Sequence, residues 1–330
     1  MGTDKFKSGS EIHLRSSVQF LAKNCLWLVL VLASARAETL TIATYNVENY
    51  TPADRMTEAG YRKGYPKPES EKQALRTVIR HLNADILALQ EMGGTPYLEE
   101  LRRDLKADGL EYPYATLLEG PDADRHIALL ARRTPKAVKP HANVEFTYFG
   151  ARERVKRGLL EATFATEAGD LTIFAVHLKS RFTDRPDDPQ SVARRIAEAT
   201  AVRDIVLRRF PVPAGERFLI LGDCNDGTAS KAVQHLLARG KTGIAKLLPA
   251  TDSRGEMWTH YYHAGESYSR VDHIMISAGL QPAVKEGAAR IFDAPETRLA
   301  SDHRPVTVTF ELDRLQVGRR GSEVKASAGK

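Results

Sequence analysis

Six clusters of polar residues fall at the ends of apolar segments. They are Tyr45-Asn46-Val47-Glu48-Asn49, Gln90-Glu91, Val176-His177-Leu178-Lys179-Ser180, Gly222-Asp223-Cys224-Asn225-Asp226, Ser269-Arg270-Val271-Asp272 and Ser301-Asp302-His303-Arg304-Pro305. A core has no use for so many polar groups, because each one buried without a partner costs about 1–3 kcal/mol. Converging at one sheet edge, they would make a pocket. Carboxylates and amides without a thiolate cluster suit a hard, oxygen-preferring cation, Mg²⁺ or Mn²⁺. Two histidines among several carboxylates suit proton transfer. No serine or cysteine sits in a nucleophile elbow, which favours water as the nucleophile. A metal, a proton shuttle and positive side chains together fit hydrolysis of a phosphate ester.

The elements that must position these residues alternate between strand-like and helix-like. Leu40 to Tyr45, Asp85 to Gln90, His126 to Ala131, Leu159 to Ala165, Leu171 to His177, Arg217 to Gly222, Val271 to Ile276 and Val306 to Phe310 read as strands. Glu69 to Asn83 carries Ala74, Leu75, Val78, Ile79 and Leu82 at helical spacing. Thr95 to Ala107 reads as a helix opened by Thr95 as N-cap and Pro96 in the first turn. Gln190 to Arg209 is a long amphipathic helix, and Ala229 to Ala238 a short one. Asn49 to Pro68 reads as a polar, aromatic-rich loop. Strands outnumber helices and interleave irregularly, which favours two packed sheets with helices outside.

The set Asn46, Glu91, His177, Gly222-Asp223-x-Asn225, Asp272 and Ser301-Asp302-His303-x-Pro305 resembles the endonuclease/exonuclease/phosphatase superfamily, of which deoxyribonuclease I is a familiar member. Each motif is weak alone; all six in the family's order are specific, and they span residues 40 to 311. The resemblance implies an α/β fold, a four-layer α-β-β-α sandwich of two mostly antiparallel sheets flanked by helices. It implies Glu91 as principal Mg²⁺ ligand, with Asn46 and Asp302 near the ion, partly through water. By the same resemblance His303, oriented by Asp272, would contact the phosphate and take a proton from the attacking water. His177 would sit opposite, on a phosphate oxygen or the leaving group. Asp223 would orient or deprotonate the water, Asn225 would hold a phosphate oxygen, and Arg157 would be a phosphate contact. The family does not divide acid and base duties uniformly among Asp223, His303 and His177. Glu48 falls where some members place a second acidic ligand, and a solvated strand-end glutamate reads as well.

Outside the motifs, Asp226 reads as a helix N-terminal charge. Lys179 and Arg181 read equally as phosphate contacts or as a solvated loop. His81, His126, His141, His235, His260 and His263 match no motif and read as structural or surface residues. His273 follows Asp272 within a strand and should face the other way. Cys224 reads as a small buried packing residue.

The ends of the chain account for its bulk charge. A short apolar run, Cys25 to Leu32, follows Lys23 and precedes Ala35-Arg36-Ala37. That order of basic region, apolar region and A-x-A site is a secretory signal peptide cut after Ala37. The expected organisation is a signal over 1–37, one domain over 38–312 and a disordered tail over 313–330. The mature protein is then exported to the periplasm or the medium, as a monomer with no stable membrane insertion. Of the formal charge of +6, Lys5, Lys7, Arg15, Lys23 and Arg36 against Asp4 and Glu11 supply half. Arg319, Arg320, Lys325 and Lys330 against Glu323 supply the rest, so the body is formally neutral. The pI near 9.2 is therefore no sign of a nucleic-acid-binding body. Once Cys25 leaves with the signal, Cys224 has no partner for a disulfide.

The loops bear on the substrate. Tyr50, Arg55, Tyr61, Arg62, Lys63, Tyr65 and Lys67 interleave aromatic and basic character, as suits stacking on bases and contact with DNA or RNA phosphates. A solvent-exposed lid reads nearly as well. No long apolar hairpin suited to membrane insertion is evident. The expected activity is a nuclease-like phosphodiesterase. The alternatives are a phosphomonoesterase of small or inositol phosphates and a non-catalytic phosphate-ligand binding protein.

Overall fold

The computed structural model describes residues 38–183 and 185–315. The expected export signal, and the tail beyond Leu315, lie outside the described residues. A seven-stranded sheet runs in the order β16 (Ala250–Thr251), β20 (Ala289–Ile291), β21 (Val306–Glu311), β1 (Thr39–Tyr50), β4 (Ile86–Met92), β6 (His126–Ala131) and β5 (Tyr114–Leu118). A six-stranded sheet runs β15 (Lys246–Leu247), β19 (Asp272–Ile276), β12 (Phe218–Asp223), β11 (Leu171–His177), β10 (Leu159–Phe164) and β7 (Ala137–His141). Within these sheets β1–β4, β11–β12 and β16–β20 pair in parallel and the other pairs are antiparallel. Two-stranded hairpins β2 (Ala53–Thr57) with β3 (Gly60–Tyr65), β8 (Glu145–Tyr148) with β9 (Ala151–Arg154), β13 (Ala238–Arg239) with β14 (Thr242–Gly243), and β17 (His260–Tyr262) with β18 (Ser267–Ser269) decorate them.

The strand period of two sorts side chains into three apolar layers. Leu40, Ile42, Ile86 and Ala88 meet Ile173, Ala175, Leu219 and Leu221 between the sheets. Ala43, Tyr45, Leu87 and Leu89 face outward onto α1 (Glu69–Leu82) and α2 (Thr95–Ala107), through Leu75, Val78, Ile79, Leu98 and Leu101. Phe174, Val176, Phe218 and Ile220 face outward onto α3 (Val192–Arg209) and α4 (Lys231–Leu237), through Val202, Val206, Val233 and Leu236. Three apolar interfaces make four layers, the sandwich expected.

Some local expectations change. The segment after Asn49 forms the β2–β3 hairpin rather than a loop. The cap of α2 is Gly94, without a side-chain bond, so Thr95 lies inside the helix. Gln190 and Ser191 take φ of 59° and 52°, which delays α3 to Val192. Asp226 is not at a helix start, because Ser230 caps α4 by accepting the Val233 N–H at 3.3 Å.

Candidate active site

Strand direction explains why the polar clusters meet. β1 and β4 are parallel and joined through α1; β11 and β12 are parallel and joined through α3. Parallel strands end on the same sheet edge, where open α/β sheets bind ligands. Asn46 pairs with Gln90 in register, and His177 with Asp223. Antiparallel β19 begins beside that end, with Asp272 opposite Asp223. β21 begins just after the Ser301–Pro305 segment, with Val306 opposite Thr44. Ser301 fastens that segment to β1, its Oγ donating to the Asn46 carbonyl at 2.9 Å and accepting the His303 N–H at 3.0 Å.

The backbone at this edge is irregular. Register shifts occur after Asn46 in β1 and after Leu89 in β4, and Glu48, Asn49, Glu91 and Asn225 all take φ between 47° and 60°. Bulges re-aim side chains, and residues held in the left-handed region cluster at functional sites. Gly222 has φ of 139°, and a Cβ there would meet the Val176 carbonyl oxygen at 2.0 Å. Only glycine lets β12 approach β11 at this point.

Asp223 is the centre of the constellation. Its Oδ2 accepts from Asn46 Nδ2 at 3.0 Å and Asn225 Nδ2 at 3.1 Å. The same oxygen lies 3.5 Å from His177 Nε2 and 4.0 Å from His303 Nε2. Its Oδ1 accepts the Asn225 N–H at 2.7 Å. Burial pushes the Asp223 pKa up, the His303 charge pulls it down, and the balance is about 7. His303 Nδ1 stands 2.8 Å from Asp272 Oδ2. Burial opposes charge on His303, but Asp272, Asp223 and Asp302 outweigh it and hold its pKa well above the ordinary value. His177 goes the other way: burial, then the fields of Arg157 and His303, hold it well below. One neutral and one charged imidazole therefore flank the same carboxylate. Environments that push titratable groups apart in this way mark out acid and base partners.

Glu91 adjoins the cluster beside His177. Its Oε2 accepts the Asn49 N–H at 3.0 Å, and its Oε1 is 3.9 Å from His177 Nε2. Asp302 donates its N–H to Glu48 Oε2 at 3.1 Å. Burial and the Asp302 charge raise the Glu48 pKa to about 7. Such crowding of carboxylates is what a divalent cation relieves. Mg²⁺ keeps several waters and takes one or two carboxylates directly; Glu91 and Asp302 are oxygen donors of the kind it prefers, while the Asn46 side-chain oxygen accepts the Glu48 N–H at 3.0 Å. Arg157 is buried, with Nε 3.0 Å from Asp122 Oδ2 and no hydrogen-bond partner for Nη1 among the described residues.

A family model described as the endonuclease/exonuclease/phosphatase family matches residues 43–303. The chain belongs to that family. Its members are metal-dependent phosphoesterases. No curated protein matches the sequence significantly. Among solved structures, a double mutant of beta toxin from Staphylococcus aureus with bound magnesium ions is 14% identical, with a TM-score of 0.58 over 82% of this chain and 99% of that one. Sphingomyelinase C from Streptomyces griseocarneus is 15% identical, with a TM-score of 0.56 over 83% and 99%. The human nocturnin catalytic domain with bound sulfate is 17% identical, with a TM-score of 0.55 over 82% and 94%. At these identities the structures establish the shared fold.

Several residues of this family member escape the motifs. Thr259 is buried, and its Oγ1 accepts the N–H groups of Val271 and Asp272 at 3.0 Å each, fixing the entry to β19. Glu198 is buried on α3 and accepts the N–H groups of Lys156 at 3.1 Å and Lys179 at 2.8 Å, tying down the segments around Arg157 and His177. A signal existed: Glu198 sits in the apolar stripe beside Ala199 and Val202. Asp226 pairs with buried Arg195, at 3.2 Å. Lys179 Nζ is turned to the Ser180 and Phe182 carbonyls, and so closes its own loop. His260, expected to be incidental, lies against His303 with ring centroids 4.5 Å apart. His273 faces away, with Nε2 2.8 Å from the Asp226 carbonyl oxygen, as expected.

Proposed function

We propose that this protein is an exported, nuclease-like phosphodiesterase that hydrolyses DNA or RNA with Mg²⁺, Mn²⁺ being a workable substitute. The observation that carries the reading is Asp223, poised near neutrality between a neutral His177 and a charged His303. Asp223 takes a proton from a water whose oxygen attacks phosphorus, as the ester P–O bond to the leaving oxygen breaks and that oxygen takes up a proton from solvent. His303, its Nδ1–H held by Asp272, presents Nε2–H to a phosphate oxygen. His177, the amide of Asn225 and the guanidinium of Arg157 surround the remaining oxygens and the leaving group. A bound divalent ion, held by Glu91 with Asn46 and Asp302, supplies Lewis-acid neutralisation of phosphate charge.

The hairpin supports a polymeric substrate. It leaves the site directly from β1 and presents Tyr61 and Tyr65 to solvent beside Arg62 and Lys63. Exposed aromatic and basic side chains in alternation are sequence-tolerant platforms for nucleic acid. No helix among the described residues is long and apolar enough to cross a membrane. Purified protein should cleave plasmid DNA or RNA with Mg²⁺ and stop with EDTA. His303→Ala and Asp223→Ala should each slow turnover by at least ~10²-fold. Turnover of monoesters alone would defeat the nuclease reading. No hydrolysis of any phosphate ester with Mg²⁺, Mn²⁺ or Ca²⁺ would defeat the enzyme reading.

A further inference from the structure

His260, Asp302 and His303 offer three ligand atoms that lie within 4.8 Å of one another. We propose that these residues form a second cation site, selective for borderline transition ions such as Zn²⁺ or Co²⁺, whose occupation silences the hard-ion hydrolase by engaging His303. The site shares Asp302 and His303 with the reading above but differs from the Asn46–Glu91 side in chemistry. Two imidazoles and one carboxylate make a nitrogen-rich set that suits Zn²⁺ and its neighbours rather than Mg²⁺.

The backbone builds the arrangement. Residues 259–261 run antiparallel to residues 302–304, with His260 and His303 as a bridge pair. The Tyr261 N–H reaches the Asp302 carbonyl at 2.9 Å, and the Arg304 N–H reaches that of Thr259 at 2.6 Å. Residues directly opposite in such a pair carry their side chains on one face, which sets the two imidazoles side by side. His260 Nε2 is 3.5 Å from Asp302 Oδ2, and His303 Nε2 is 3.9 Å from Asp302 Oδ1. Arms of about 2.0–2.1 Å in a tetrahedron give ligand–ligand edges of roughly 3.4 Å, so small side-chain adjustments close the site.

The outer partners also suit a metal. His303 Nδ1 is committed to Asp272, the carboxylate–histidine arrangement that fixes a ligating imidazole and leaves Nε2 to the ion. His260 Nδ1 faces Ser269 Oγ at 3.4 Å, which turns its Nε2 the same way. Side chains of His260 and Asp302 are 22% and 27% exposed, which gives an ion a way in. Three protein ligands leave a coordination position open. An ion seated here displaces the Nε2 proton of His303 to solvent and takes the atom that would otherwise donate to the phosphate.

The test uses the full chain, stripped of metal with EDTA, desalted and titrated with Co²⁺ while ligand-field absorption is recorded. Wild type should develop a nitrogen-ligand spectrum that Zn²⁺ displaces. His260→Asn should weaken Co²⁺ and Zn²⁺ binding at least ~10-fold, and His260→Tyr should do the same. His263→Asn, an exposed neighbour, should bind as wild type does. Circular dichroism confirms that each variant is folded. With Mg²⁺ present, micromolar Zn²⁺ should inhibit wild type and spare His260→Asn, which keeps its Mg²⁺-supported turnover. A wild type without the nitrogen-ligand spectrum, or a His260→Asn with wild-type affinity, overturns the proposal. The spectrum needs no turnover, so its failure is distinct from failure of the hydrolase reading.

Discussion

Asn46 Nδ2 donates to Asp223 Oδ2 across 3.0 Å, joining the ends of two strands that belong to different sheets. The bond sets a neutral amide donor against a buried carboxylate whose pKa is already about 7. Asn46→Asp would replace the donor with a second carboxylate. Like charges at that range raise the pKa of one partner. If Asp223 is the base, it works only when deprotonated, so the activity profile should move to higher pH by roughly one unit or more. Asn46→Ala should lower turnover without that displacement. An Asn46→Asp profile superimposable on wild type would remove Asp223 from the role of base.

Asp272→Asn keeps the shape of the partner to His303 and removes its charge. That charge does most to offset the burial that opposes charging His303. The variant's imidazole should titrate lower than in wild type, read by histidine NMR. Turnover should fall about 10²-fold, the scale of an acid–base group put in the wrong state. A lower His303 titration with full activity would mean that its charge is not used.

Glu198→Leu tests the support behind the site. The substitution leaves the N–H groups of Lys156 and Lys179 without their acceptor, at about 1–3 kcal/mol each. Glu198→Gln keeps one carbonyl and should cost less. Urea midpoints rank wild type, Gln and Leu in that order if the account holds. A Leu variant as stable as wild type would show that the buried carboxylate merely offsets its own desolvation.

Asn46, Glu91, His177, Asp223 and His303 were legible because polar types at the ends of apolar runs are improbable in a core. Two packed sheets with helices outside were legible because strands outnumber helices and interleave with them irregularly; the four-layer order follows from the family resemblance. The hairpin over residues 53–65 was not, since β3 is exposed along nearly its whole length and the half-buried positions of β2 are Ala53, Arg55 and Thr57 while Met56 faces solvent, so no apolar face marks either strand. His260 was hidden because its significance comes from a bridge to a residue 43 positions away, which no local pattern encodes. Asp226 was misread because one strand-end carboxylate looks like another until Arg195 is found beside it.

Asp252 and Arg304 give the last prediction, on acid stability. Arg304 of the Ser-Asp-His-Arg-Pro segment is buried, with Nη1 2.8 Å from Asp252 Oδ2 and its guanidinium 3.5 Å from the centroid of the Trp258 ring. Burial alone would raise the Asp252 pKa. The Arg304 bond and the N–H groups of Glu256 and Arg254 outweigh it and hold the carboxyl at about 2. An unfolded aspartate titrates near ~3.9, so the folded chain binds this proton more weakly than the unfolded one. The stabilisation is therefore complete above about pH 4 and is lost as pH falls toward about 2. Asp252→Asn removes the titration but not the shape. Urea midpoints of wild type and Asp252→Asn should differ most near neutral pH and converge between about pH 4 and about pH 2. A gap of constant size across that window would mean the pair contributes through packing against Trp258 rather than through charge.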